Sequence, residues 1–569
     1  METLISPGYL TRENDTSQIT SQPIEAGAAL VGPTVKGKVG IPKLVTTYSE
    51  YLAYFGSTFD SGSDNYSFLT SISAYNYFNN GGKTLLVTRV QSGSWAPATS
   101  SLAVNAWHAA SSSFTLETLS DGLIMNSTSS LSSNGALLSG SDVNYRWEIA
   151  NPNTSSGTFT LLIRQGNDLN NNKTVLETFS NLSLDPKSPN YIERIVGNQI
   201  QVQRGSGANI YLQTTGSFPN ASNYVRVKEV LYKTPDYLDN SGIAKNQFTS
   251  SIPLAASGTF GGAAGDLAKA GMKFYNDISN TDSQGLVGGN YTDTFNLLAN
   301  KDDYKYNVIS SPGLVYAAAT HVTPLNTLIS NTTDRGDNLV ILDLELYSST
   351  PTAAISTAAS VDSSYAAAYW PWVQVSNPDN GQLVWVPAST LIPGVMAYND
   401  KVGEPWFAPA GIQKGGLGMV KQAERKLPQS DRDTLYVGKV SPIATFPGTG
   451  ICVFGQKTLQ TKASATDRIN VRRLLIELKE KIGNVAKTLV FAQNTAAIRN
   501  QFLSQVNPYL DSVQQRQGVY AFKVVMDESN NSSTVIDRNQ LVGAVYIQPT
   551  KTAEFIYLDF NITPTGASF

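Results

Sequence analysis

The chain has 569 residues, and its 41 Lys and Arg nearly balance its 44 Asp and Glu, with charged residues only 15% of the total. That length exceeds one hydrophobic core, so several domains are expected. A near-neutral, sparsely charged chain has no global field to hold nucleic acid, and no run of eighteen apolar residues offers a membrane span. The lone Cys452 cannot form an internal disulfide, and Met1 to Tyr9 lacks a basic region followed by an apolar one. These features predict a protein made and kept in a reducing cytoplasm, where the Asn-x-Ser/Thr triplets at Asn181, Asn290 and Asn531 are products of composition.

In chain order, residues 1–22 are polar, carry Pro7 and Gly8 and show no periodic apolar face, which predicts an extended arm. Residues 23–90 open with short apolar runs broken by Gly and Pro, then a helical segment ending at Gly56. A second helical stretch around Phe68 to Phe78 stops at Asn79-Asn80-Gly81-Gly82, and Thr84 to Val90 reads as a buried strand. Strands alternating with helices predict the first part of an α/β core. Residues 91–187 form a Ser-, Asn- and Gly-rich stretch with only five charged residues between Gln91 and Ile163. Its alternating runs at Phe114 to Glu117, Tyr145 to Ile149, Thr158 to Ile163 and Val175 to Phe179 predict an inserted peripheral β module.

Residues 188–435 are read as the second part of the core, with a helix starting at Tyr191 to Val196. Further on, Tyr306 to Ser310 and Leu339 to Leu342 are expected as strands, with a helix from Leu314 to Ser330 between them. Residues 436–569 are expected as a C-terminal domain of sheet and helices. In Asp467 to Leu489 the residues Val471, Leu474, Leu475, Leu478, Ile482, Val485 and Leu489 recur at three- and four-residue spacing, one face of a buried helix. A second helical segment follows, then the strand-like runs AFKVVMD, LVGAVYIQP and AEFIYLDFNI.

Motifs that could carry chemistry are incomplete. Gly82-Lys83-Thr84 resembles the end of a phosphate-binding loop, but Tyr77 stands where the loop needs its first glycine, and the turn leaves a helix instead of entering one. His108 and His321 stand alone, and with Cys452 in the apolar run GICVFG they are a poor zinc supply. Asp302-Asp303 and Asp527-Glu528 lie in turn-like polar contexts. Gly258, Gly261, Gly262 and Gly265 lack the strand and helix of a dinucleotide site, so a flexible interdomain loop is expected there. No catalytic residue, cofactor or metal is expected.

The order of the DRINVRRL opening, the FKVVMDESNN strand and turn, the VIDRNQLVGAVYIQP strand and the AEFIYLDF run resembles the C-terminal domain of bacteriophage contractile-tail sheath proteins, closest to the T-even type. SSYAAAYWPWVQV, VWVPAST, IPGVMAYND and the APAG element at Ala408 to Gly411 resemble that family's central signature. ETFSNLSLDPKSPNYIERIVG from Glu177 resembles the return from an inserted module. The resemblance implies a structural subunit: stacked six-subunit rings around a tail tube protein, bounded by baseplate and tail terminator proteins, with no direct nucleic-acid or membrane contact and no enzymatic activity. It places the protein in the virion after assembly in the host cytoplasm. A bacteriocin or other injection-machine sheath fits the same residues. A surface glycan-binding protein would need an export signal and acidic calcium loops, and an enzyme a convergent cluster.

Two surfaces are candidates for assembly. At about 100° per residue, Arg468, Arg472 and Lys479 fall on one flank of the long helix without local acidic partners, whereas Arg473, Glu477 and Lys481 form an i, i+4 ladder. The flank reads either as side chains lying over a core edge or, with the resemblance, as a surface facing the tube. The terminal run places Ile556, Leu558 and Phe560 on one face and Phe555 and Tyr557 on the other. It and the arm residues Leu4, Ile5, Tyr9 and Leu10 are expected to link subunits by adding strands to a neighbour's open sheet edge.

Overall fold

The computed structural model describes residues 24–61, 64–103, 113–128, 130–269, 271 and 273–557. The arm over residues 1–22, His108 and the terminal Leu558 and Phe560 lie outside them. The fold is mixed α/β, with several sheets and helices, built around an eight-stranded sheet. Six strands of that sheet run parallel, in the spatial order Leu85–Arg89, Ile24–Gly32, Tyr304–Val315, Leu339–Asp343, Ala366–Trp370, Ser441–Phe446. The antiparallel strands Lys43–Val45 and Gly450–Val453 close its two edges.

These strands read as continuous apolar runs because parallel sheets are covered on both faces. Alternate residues serve the two sides. Ala29, Val31, Ile309, Val340 and Leu342 pack with Leu325 and Leu328 of the helix Val322–Arg335, Ala354 of Pro351–Ala359 and Leu435 of Gln429–Val437. Ala28, Leu30, Val87, Val308 and Ile341 pack with Tyr51 and Phe55 of Tyr48–Phe55, Ile72 of Leu69–Asn79 and Met396 of Ile392–Val402. The turn at Gly82-Lys83-Thr84 does leave the Leu69–Asn79 helix and enter the Leu85–Arg89 strand, and the Gly82 N–H donates to the Tyr77 carbonyl at 3.0 Å.

The expected helix from Leu314 to Ser330 starts late. Leu314 and Val315 finish the strand, where Val315 pairs with Asp343, and the helix begins at Val322. Pro324 favours this start, since its ring and missing N–H cost least in a helix's first turn.

The inserted β module departs further from expectation. Its two antiparallel four-stranded sheets are ordered Val175–Ser183, Thr158–Gln165, Tyr145–Asn153, Ala256–Gly258 and Val225–Val230, Phe114–Asp121, Pro97–Ser100, Phe260–Gly261. Three of these strands lie beyond residue 187, the expected end. The glycine-rich stretch at Gly258 to Gly265 is therefore not a flexible link: Gly258 pairs with Trp147 and Gly261 with Thr99. A Cβ on Gly258 would stand 2.3 Å from the Trp147 ring, so close strand approach accounts for that glycine. The sheets share one core including Phe114, Tyr145, Trp147, Phe159, Val227 and Phe260.

The strands Ser441–Phe446 and Gly450–Val453 belong to the central sheet, so the C-terminal layer begins after them instead of at residue 436. It consists of the helices Ile469–Lys487 and Ala496–Gln515 and the hairpin of Val519–Val525 with Ala544–Pro549. Leu474, Leu478, Phe502, Val506, Leu510, Val513, Val519 and Met526 form its core with Trp406 from the central region.

Candidate functional site

His321 and Cys452 are both buried in the core. The buried His321 Nδ1 accepts the Val315 N–H at 3.1 Å, which places the ring proton on Nε2, and burial lowers its pKa. Cys452 is buried in a strand paired with Ala444, and burial pushes its thiol pKa up. Among the described residues no group of three His, Cys, Asp or Glu could hold a metal, and no helix is long and apolar enough to cross a membrane.

The hairpin of the C-terminal layer has one covered and one exposed face. Phe522, Val524 and Ile547 turn one face of its hairpin toward the helices, while Tyr520 and Tyr546 on the other face are exposed. Among the described residues no third strand joins this hairpin, so each of its strands keeps an open edge. An open edge presents a row of unpaired N–H and C=O groups, a template for another chain.

The basic flank of the long helix is not the uniform surface that the helix periodicity predicts. Arg468 has acidic partners: its Nε donates to Glu554 Oε1 at 2.8 Å and its Nη1 lies 3.0 Å from Asp467. These partners escape a helical-wheel reading because one precedes the helix and the other lies near the chain's end. Arg472 is buried, donates to the Ser364 carbonyl at 3.2 Å and stacks over the Tyr365 ring at 4.0 Å. Lys479 is exposed and donates to the Tyr365 hydroxyl at 3.2 Å. Arg473, expected in an exposed ladder, is buried and pairs with Asp400 at 2.6 Å, which leaves Glu477 to Lys481 at 3.9 Å.

The terminal run from Lys551 to Tyr557 is irregular and pairs with no strand among the described residues. Its residues Phe555, Ile556 and Tyr557 are 69%, 76% and 87% exposed. Glu554 is the exception. It accepts from Arg468, from the Tyr436 hydroxyl at 2.6 Å and from Gln456 Nε2 at 2.9 Å. Burial pushes its carboxyl pKa up, but these three hydrogen bonds outweigh that and hold it below the ordinary value. Sequence reasoning missed this residue, although a lone acid in the apolar run AEFIYL is a visible signal.

Comparison with known proteins agrees with the sequence motifs. The phage tail sheath protein central domain matches residues 284–459, and the phage tail sheath C-terminal domain matches residues 461–563. The tail sheath protein of Vibrio phage KVP40 is 43% identical over 185 residues, and that of Enterobacteria phage T4 is 38% identical over 185 residues. Each alignment covers 32% of this chain and only 28% of the relative's length. The crystal structure of a sheath tail protein from Listeria innocua, 10% identical, superposes with a TM-score of 0.50 over 93% of this chain and 96% of that one, a likeness of fold. With the two sheath models matched in order from residue 284 to residue 563, this part of the chain is similar to the central and C-terminal domains of phage tail sheath proteins, and the chain aligns with about a quarter of the length of the curated tail sheath proteins that it matches.

Proposed function

We propose that this chain is the repeating subunit of a contractile phage tail sheath, polymerising as stacked hexameric rings around a tail tube and contracting to drive the tube through the host envelope for genome delivery. The observation that carries the reading is the C-terminal hairpin, whose edges no further strand covers among the described residues, on a chain that matches both sheath domains. In this reading the arm around Leu4, Ile5, Tyr9 and Leu10 and the terminal run from Phe555 to Phe560 add strands to a neighbour's hairpin. The C-terminal layer lies innermost, against the tube, and the β module faces outward. Contraction needs no nucleotide, because two packings of one sequence differ in free energy and a barrier traps the extended one. Baseplate and tail terminator proteins bound the polymer, which is assembled in the host cytoplasm and carried in the virion.

Negative-stain microscopy of the purified protein tests this. Hollow tubes are expected, and a persistently monodisperse globule would sink the reading. Deleting residues 1–15 should leave a soluble folded protein that builds no long tubes. Tubes of normal length from that deletion would remove the arm from the mechanism.

A further inference from the structure

The hairpin's last strand ends at Pro549, and Thr550 is still tied to its own subunit through its N–H to the Gly518 carbonyl at 3.1 Å. Beyond it the chain has no regular structure up to Tyr557, yet it does not hang free. Gln456 Nε2 bridges Thr552 Oγ1 at 2.5 Å and Glu554 Oε1 at 2.9 Å, while Tyr436 and Arg468 grip the two oxygens of the same carboxylate. The gripping groups come from three places: Tyr436 from the helix Gln429–Val437, Gln456 from the segment that follows the Gly450–Val453 strand, and Arg468 from the cap of the long C-terminal helix. A carboxylate beside a helix start is also favoured by the positive end of the helix dipole. One position later the contacts stop, and three consecutive large side chains stand in solvent.

We propose that Glu554 is a positioning residue that fixes where the C-terminal arm leaves its own subunit, so that Phe555 and the residues after it are presented to a second copy of this chain. This rests on the sheath reading for the identity of the arm's receiver. The physical gain is entropic. The four residues that follow Thr550, through Glu554, could sweep a radius of roughly 14 Å if free, and a root held at one point presents the arm to a neighbour at a higher effective concentration. Glu554 also joins the arm to the central region and to the long helix together, so a pull on the arm enters both.

The test compares the wild-type chain with Glu554→Ala and the conservative Glu554→Gln. In the soluble monomer, hydrogen exchange of amides 551–557 should quicken by roughly tenfold or more in Glu554→Ala, with the helices unchanged, as expected when a local contact opens. The protein concentration needed for tube formation should rise several-fold, and Glu554→Gln, whose single amide oxygen can still accept from Arg468 and Gln456 but no longer also from Tyr436, should fall between. A purely structural role would lower the unfolding midpoint without moving the assembly threshold of the folded protein. Unchanged exchange in Glu554→Ala overturns the anchoring, and faster exchange with an unchanged threshold overturns the positioning. Failure of the wild-type chain to form tubes would instead overturn the sheath reading, with the exchange result still reporting on the anchor.

Discussion

Ala96 and Ala264 form a reciprocal antiparallel bridge, with the Ala96 N–H donating to the Ala264 carbonyl at 2.9 Å and the Ala264 N–H returning the bond at 3.2 Å. The β module therefore leaves and re-enters the α/β core through one doorway. Behind it, Asp121 accepts from Lys38 at 2.8 Å and from the Val39 N–H at 3.1 Å, and the buried Arg89 donates to the carbonyls of Gly37 and Asp121.

Excising residues 97–263 with a short Gly/Ser bridge, together with Arg89→Leu, should leave a folded core, since closing adjacent ends costs little. A shorter excision of residues 91–180 should fail. It removes the Phe114–Asp121 strand, which pairs with Val225–Val230, and strands Arg89 without its module partner. Soluble yield and cooperative thermal unfolding of the two deletions check this. Equal behaviour would show that the doorway is not the true boundary.

The contrast between those deletions marks what the sequence made legible. The buried run Leu85–Arg89 and the 3.6-residue stripe of the long helix carry their own evidence, because burial on both faces or on one leaves a local pattern. The module's far boundary does not. Ala256–Gly258 and Phe260–Gly261 are too short to show alternation, and their partners lie in distant sequence. Side-chain partners behave the same way. A helical wheel pairs Arg473 with Glu477, but Asp400 from another helix takes the guanidinium, and nothing local in the sequence announces Ser364 and Tyr365 beside Arg472.

Asp400→Ala should destabilise the monomer by about 2–3 kcal/mol, because it leaves the buried Arg473 charge uncompensated. Arg473→Met should cost less, since it removes that charge and keeps an apolar side chain in the buried position. Urea midpoints of the soluble variants measure both. A larger loss in Arg473→Met would mean that the guanidinium's packing, not its charge, matters most.

Asp343 gives a pH signature. Burial pushes its carboxyl up from 3.8 to about 6, against the hydrogen bonds from the Ser389 N–H and hydroxyl. A raised acid binds its proton more tightly in the folded state, so its contribution to stability is full below about pH 4 and is lost as pH rises through about 6. Asp343→Asn should flatten that part of the stability profile, with the Ser389 hydroxyl turning to accept from the new amide. Denaturation midpoints between pH 4 and 7 check it, and parallel wild-type and variant profiles would dismiss Asp343 as the titrating group.

The basic flank separates into unequal parts. Arg472 is committed to Ser364 and Tyr365 in its own chain, so Arg472→Glu should destabilise the monomer by about 1–3 kcal/mol through a lost charge-assisted hydrogen bond and stacking. Lys479 is exposed, and its single hydrogen bond to a tyrosine hydroxyl is readily surrendered to a stronger partner. If the C-terminal layer faces the tube, Lys479→Glu should leave monomer stability unchanged and weaken co-assembly with the tube, while tube-free polymerisation persists. An exposed charge pair contributes only about 0–1 kcal/mol, but it recurs in every subunit and so accumulates along the tail. High salt should weaken the wild-type contact toward the variant's level, since exposed charges are screened within roughly 8–10 Å at ordinary ionic strength. Co-sedimentation of each variant with assembled tubes at low and high salt reads the effect, and identical binding by Lys479→Glu at low salt would assign the flank to intramolecular packing alone.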